Sequence, residues 1–285
     1  LVNRISYLLD IHGPSEPIDT ACSSSLIAIH KAVESIRNGR CDMAIAGGVN
    51  ALLSPELTLS FSQAGMLSED GKCKSFDQRA NGYVRGEGVG VVILKSLAKA
   101  EQDGDHIYGL IRGSAENHGG KANTLTSPNP NAQKDLLIKA YTTADIDPRD
   151  VSYIEAHGTG TPLGDPIEVE GLKSAFKELY KERHLSQPEA AYCGIGSVKA
   201  NIGHLEAAAG MGGVMKVLLS MKYKTLPGNP QLETPNEYLK LTGSPFYLQK
   251  ETKAWLTENN KPRIAGISSF GFGGANAHIV IEEYR

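Results

Sequence analysis

Apolar positions recur at two periods along this chain, and the two alternate. Leu26, Ile29, Val33 and Ile36 fall three or four residues apart, which is one face of a helix, and Asn38-Gly39 supplies the stop. The same spacing predicts helices over residues 96–102, 133–144 and 204–221. Leu136, Leu137, Ala140, Tyr141 and Ala144 form the apolar face of the second. Another helix starts at Asp165-Pro166, read as an N-cap with a first-turn proline, and carries Val169, Leu172, Phe176 and Leu179 as its stripe. Short apolar runs predict strands at 41–48, 89–94, 107–113, 151–156, 191–197, 264–269 and 277–282, the first two as buried strands. Residues 51–82, punctuated by Pro55, Gly65, Gly71 and Gly82, predict loops wrapped over a core.

Strands alternating with helices imply α/β layers. The turn Asp103-Gly104-Asp105 marks a seam, dividing the chain into residues 1–103 and 104–285. An extended segment, a polar turn and an alanine-rich helix occur at 18–37 and again at 195–221. Two halves of like topology would bring Cys22 and His204 towards one site.

Composition narrows the functional classes. The chain has 285 residues, 29 basic and 32 acidic, for a formal net charge of −3. With no dense basic tract, nucleic acid is not an expected partner. No apolar run has transmembrane length and no signal peptide opens the chain. The four cysteines (Cys22, Cys41, Cys73, Cys193) show no Cys-x-x-Cys spacing, which argues against structural zinc or a disulfide framework and for a reducing cytoplasm. Residues 1–9 read as a helix already under way, as expected for part of something longer.

Four segments could carry chemistry. Cys22 stands where an extended run turns into the first long helix. The helix N-terminus there favours a thiolate and a neighbouring oxyanion; a buried structural cysteine is the competing reading. His157 lies at the C-terminal end of a strand in a Gly/Thr turn, a common place for functional groups in α/β proteins, though an isolated loop histidine is more often structural. Lys199 and His204 precede another helix, where the internal echo expects a functional terminus. The glycines of 271–274 let backbone N–H groups point into a cavity. His12, His30, His106, His118, His184 and His278 are read as structural. The glycines of 85–90 lead into a strand, so they read as a tight turn rather than a phosphate loop.

Together, Asp19-Thr-Ala-Cys-Ser-Ser-Ser25, Glu155-Ala-His-Gly-Thr-Gly-Thr161, Lys199-Ala-Asn-Ile-Gly-His-Leu-Glu-Ala-Ala-Ala-Gly210 and Gly271-Phe-Gly-Gly-Ala-Asn276 resemble the β-ketoacyl synthases, specifically the ketosynthases of modular polyketide synthases. The resemblance implies the thiolase fold, two pseudo-symmetric halves in αβαβα layers, with the first half incomplete here. It implies Cys22 as the nucleophile that takes an acyl chain from an acyl carrier protein. It implies His157 and His204 as the pair supporting malonyl decarboxylation, with Lys199 and Glu168 in support. The backbone N–H groups of Cys22 and Phe272 would form an oxyanion hole. The segment Glu116–Gln133 resembles ketosynthases whose extender is loaded by a separate acyltransferase protein. Implied partners are carrier domains, neighbouring synthase domains and a second copy in a homodimer. No metal, nicotinamide or flavin is implied, and the phosphopantetheine arm belongs to the carrier.

Other readings remain open. A thiolase would normally need a second active-site cysteine in place of the two histidines. A non-elongating ketosynthase would only bind or pass on acyl chains, and an inactive fragment would act as a binding or structural module.

Overall fold

The computed structural model describes residues 2–124, 126–257 and 261–285. Position 1 of the predicted first helix and position 125 of the 116–133 segment lie outside them. The helices are α1 (Val2–Leu8), α2 (Ser24–Arg37), α3 (Glu56–Gln63), α4 (Leu97–Asp103), α5 (Pro130–Ala144), α6 (Gly164–Glu182), α7 (Lys199–Ile202) and α8 (Ala209–Tyr223). The strands are β1 (Met43–Asn50), β2 (Gly88–Lys95), β3 (Leu110–His118), β4 (Tyr153–Glu155), β5 (Cys193–Gly196), β6 (Thr225–Leu226), β7 (Phe246–Leu248), β8 (Lys253–Ala254), β9 (Ile264–Phe270) and β10 (Ala275–Glu282).

A six-stranded mixed sheet, in the order β3-β10-β9-β4-β5-β7, organises the chain. β10 runs antiparallel to both its neighbours, while β9, β4, β5 and β7 are parallel. Alternation along the strands gives the sheet two apolar faces. Ile154 and Val280 face a core with Leu136, Leu137 and Tyr141 of α5 and Val169, Leu172 and Phe176 of α6. Ala265, Ile267, Ala277 and Ile279 face the other core, with Leu26 and Ile29 of α2 and Met211, Val214 and Val217 of α8. Beyond α2 and α8 lies the β1–β2 ribbon, antiparallel, which contributes Ala46 to that second core. The layers thus run α5/α6, sheet, α2/α8, ribbon.

The structure revises several expectations. β1 and β2 are not buried strands: their inward side chains pack on α2 and α8, but Met43, Ile45, Val49, Val89, Val91 and Ile93 are exposed on the outer face. The loop region contains α3, which buries none of its residues and whose Leu57, Leu59 and Phe61 alternate with polar residues rather than following helical spacing. Asp165 is not an N-cap. It is the second residue of α6, only 1% exposed, and its carboxylate binds elsewhere in the site. The helix expected from His204 starts at Ala209, because Gly203 (φ +78°) and Glu206 (φ +46°) turn the chain before it. Among the described residues no helix is long and apolar enough to cross a membrane.

Candidate active site

Cys22 occupies a single 3-10 turn, Ala21–Ser23, wedged between the extended segment and α2. The turn is strained: Ala21 takes φ +55°, a conformation that costs a non-glycine residue roughly 1–2 kcal/mol. Small hydroxyls hold it there. Ser24 Oγ donates to the Ala21 carbonyl at 2.6 Å and accepts the Thr20 N–H at 2.9 Å. Ser23 Oγ donates to the Thr20 carbonyl at 3.0 Å. From β9, Ser269 Oγ donates to the Cys22 carbonyl at 2.7 Å. The Cys22 turn is therefore tied to the central sheet, which explains the run of hydroxyl residues around the cysteine.

His157 follows the end of β4. Both carboxylate oxygens of Glu168, one turn into α6, brace its turn by accepting the N–H groups of His157 at 2.7 Å and Gly158 at 2.8 Å. Asp165 does the same a few residues on, accepting the N–H groups of Phe76 at 2.7 Å and Gly160 at 3.1 Å. Burial pushes Glu168 up to about 7 and Asp165 up to about 6, against the backbone donors that favour their ionised forms. Glu168 thus acts first on the backbone of the His157 turn, and it makes no ion pair with Lys199 among the described residues.

His204 sits in the short bridge between α7 and α8. Its ring stands nearly perpendicular to that of His157, with centroids 5.6 Å apart, and meets Tyr83 edge-on at 5.0 Å. The Cys22 sulfur and one ring nitrogen of each histidine all lie within 4.8 Å of one another. The sequence's four motifs meet here: the loop 271–274 brings the Phe272 N–H to the Cys22 sulfur, where it and the Cys22 N–H favour the thiolate. Lys199, on α7, is buried and its charge acts on Cys22, His157 and His204 alike.

Burial nevertheless dominates the electrostatics. Cys22 is pushed up to about 11 despite Lys199 and the two N–H groups, so the resting site holds a neutral thiol. The N–H groups at the turn favour the thiolate as the sequence leads one to expect, but burial outweighs them. Burial, with Lys199 second, also holds both histidines well below the ordinary imidazole range. Burial lowers Lys199 as well, against the pull of Glu155 and Glu168.

The tautomers follow from the backbone. The Glu206 N–H donates to His204 Nδ1 at 3.0 Å, and the Phe270 N–H donates to His157 Nδ1 over a longer 3.4 Å. A neutral imidazole accepting at Nδ1 carries its proton on Nε2. Both rings therefore offer N–H donors to whatever lies between them and the sulfur. The same protonation leaves no Nε2 lone pair for a metal, so the Cys22–His157–His204 cluster fits a metal ion poorly.

These groups line a cavity of about 580 Å³, walled also by Met66, Tyr83, Phe270 and residues 118–122, 124 and 126–129. His118, read as structural, lies on that wall, its Nε2 3.0 Å from the Gly273 carbonyl oxygen. Sequence reasoning missed two buried supports. Asp165 was hidden by its cap-like Asp-Pro context. Glu155 was visible as an acidic residue inside an otherwise apolar strand, but was not singled out.

Comparison with known proteins places the chain. Family models for the β-ketoacyl synthase N-terminal and C-terminal domains match residues 1–100 and 108–233. Polyketide synthase PksN of Bacillus subtilis is 58% identical over 287 residues, covering 99% of this chain and 5% of that protein. Polyketide synthase ThaG of Burkholderia thailandensis is 47% identical over 287 residues, again covering 99% of this chain and 5% of that protein. The ketosynthase from module 6 of the bacillaene synthase of Bacillus subtilis superposes with a TM-score of 0.95 at 51% identity. The oxazolomycin ketosynthase domain OzmH KS7 of Streptomyces albus superposes at 0.93 and 44%. All of this chain matches about half of each of those two structures, 50% and 49%. The layered α/β architecture is thus the thiolase fold of these ketosynthases, and the chain belongs to the β-ketoacyl synthase family.

Proposed function

We propose that this chain carries the reaction centre of a polyketide chain-elongating ketosynthase. One observation carries the reading: a thiol and two Nε2–H imidazoles within 4.8 Å of one another in a cavity of about 580 Å³. In the first step Cys22 attacks the thioester of an acyl chain on the phosphopantetheine of an acyl carrier protein. The sulfur–acyl bond forms, the carrier thiol leaves, and the proton from Cys22 passes to it. The N–H groups of Cys22 and Phe272 accommodate the oxyanion. Each such donor contributes about 2.7–4 kcal/mol to the transition state.

In the second step a malonyl-type extender on a carrier loses carbon dioxide. His157 and His204 donate from Nε2 to its thioester oxygen as negative charge develops there. The carbanion attacks the acyl-Cys22 carbonyl, a carbon–carbon bond forms and the sulfur–acyl bond breaks. Cys22 leaves as a thiolate that takes up one proton from solvent, while the β-ketoacyl chain stays on the extender's carrier. Lys199 supports the site's electrostatics, and Glu168 fixes the His157 turn.

The wider reading includes the seam near residues 103 and 104, where Gly104 closes α4 in the left-handed conformation (φ +69°). It also includes a homodimer, neighbouring synthase domains, a separate extender-loading acyltransferase suggested by residues 116–133, and a cytoplasmic setting. Intact-protein mass spectrometry after incubation with an acyl-carrier thioester tests the first step. One added acyl group, absent in a folded Cys22→Ala variant, is expected. An adduct that persists in the variant refutes the assignment of Cys22.

A further inference from the structure

Glu206 holds a left-handed backbone conformation, φ +46°, although it carries a side chain. Such conformations persist only where the surroundings enforce them. Here the enforcing group is Arg85. Its Nε and Nη2 grip the two carboxylate oxygens of Glu206, the second at 2.9 Å, in the forked geometry that suits guanidinium and carboxylate. Arg85 is itself anchored. Its Nη1 donates to Thr58 Oγ1 at 2.7 Å, and its guanidinium lies over the Phe61 ring, 5.3 Å from the centroid. The Arg85 side chain is 5% exposed and that of Glu206 17%.

The two backbones are paired beneath this contact. The His204 N–H donates to the Val84 carbonyl and the Gly86 N–H to the His204 carbonyl, both at 2.8 Å. Residues 84–86 therefore fix the main chain of His204, while the side chain of Arg85 fixes the residue two positions further on. The left-handed turn has one direct consequence for the site: it aims the Glu206 N–H at His204 Nδ1, 3.0 Å away. Arg85 also reaches the opposite wall, because Phe61 meets Phe272 edge-on at 6.4 Å.

We propose that Arg85 and Glu206 are positioning residues for His204: their ion pair holds the left-handed turn whose N–H keeps the imidazole as an Nε2–H donor. This rests on the condensing role given to His204 above. It assigns a task to residues 85–90, which the sequence offered only as a tight turn.

Two substitutions at one position separate backbone from charge. Glu206→Ala and Glu206→Gly both remove the carboxylate, but only glycine adopts φ +46° freely. In the full chain, Glu206→Ala is expected to lower kcat for condensation at least about tenfold, with KM for the malonyl-carrier changed less than about twofold. Glu206→Gly is expected to recover part of that loss, with kcat between the alanine variant and the parent. Nitrogen NMR of imidazole-labelled protein supplies a readout independent of turnover. The His204 proton is expected on Nε2 in the parent and the glycine variant, and shared with Nδ1 in the alanine variant. Equal losses in both variants, or an unchanged tautomer in Glu206→Ala, overturn the proposal. A parent that loads acyl groups but never condenses overturns the condensing role instead, and the NMR comparison still decides the clamp.

Discussion

The Glu155 carboxylate accepts the Val198 backbone N–H at 2.6 Å, so one buried anion ties the strand leading to His157 to the turn that delivers Lys199. Its other oxygen accepts from Lys216 Nζ at 2.7 Å and Tyr153 Oη at 2.9 Å. Lys216 comes from α8 and also donates to Tyr153 Oη at 2.7 Å. The strand before His157, the turn before Lys199 and the helix after His204 thus converge on a single ion pair, with the Lys216 side chain 8% and that of Glu155 2% exposed.

Breaking a buried pair from one side leaves an uncompensated charge, which typically costs about 3–5 kcal/mol. Lys216→Met is therefore expected to destabilise the chain by roughly that amount in urea unfolding. Adding Glu155→Gln removes the orphaned charge, so the double variant should recover much of the loss. If the double variant is no more stable than Lys216→Met, the pair is not what the single substitution disrupts.

The raised Cys22 thiol has a kinetic signature. With its ionisation at about 11, only about one sulfur in ten thousand is thiolate at pH 7. Thiolate is the reacting form, so alkylation of Cys22 should climb about tenfold per pH unit from 7 to 10. An ordinary cysteine flattens above about 8.5. Iodoacetamide labelling followed by mass spectrometry at Cys22 reads this directly. A plateau by pH 8 shows that Lys199 and the Phe272 N–H outweigh burial.

His157 is assigned to the second half-reaction, and the two halves can be separated. His157→Ala should still acquire an acyl group on Cys22 but should lose condensation by about 10²–10³-fold, the cost of one oxyanion donor. Single-turnover elongation of a preloaded chain measures it. Elongation at the parent rate removes His157 from the mechanism.

Much of this was legible along the chain, and the failures share a physical cause. α2 was readable because Leu26, Ile29 and Val33 are buried on one face, and the buried stripe of α6 was readable in the same way. α3 was not, because Leu57, Leu59 and Phe61 alternate with polar residues at the period of a strand, and the helix packs no residue into the core. β1 and β2 looked doubly buried because their outer residues are as apolar as their inner ones. The motifs brought out the three groups that cluster in the cavity, Cys22, His157 and His204, while Glu155–Lys216 and Arg85–Glu206 pair residues 61 and 121 positions apart. No local pattern reveals such partners.

The approach of loop 271–274 to the Cys22 turn yields the sharpest steric test. A Cβ built on Gly271 would stand 2.4 Å from the Thr20 carbonyl oxygen and 3.1 Å from Ser23 Oγ. Both belong to the hydroxyl network that holds the strained Ala21 conformation. The Gly271 N–H also closes its own loop by donating to the Ala275 carbonyl at 2.7 Å, so the loop cannot swing away without breaking that bond. Gly271→Ala must therefore push the two segments apart, and the Phe272 N–H retreats from the sulfur with them. Losing one such donor costs about 10²–10³ in rate, so acyl loading should fall steeply in a chain whose circular dichroism is unchanged. The ionisation of Cys22 should rise further, because the Phe272 N–H is among the groups holding it down. Alkylation slower at every pH would report that rise. Loading at the parent rate in a folded Gly271→Ala chain places the oxyanion donor elsewhere than Phe272.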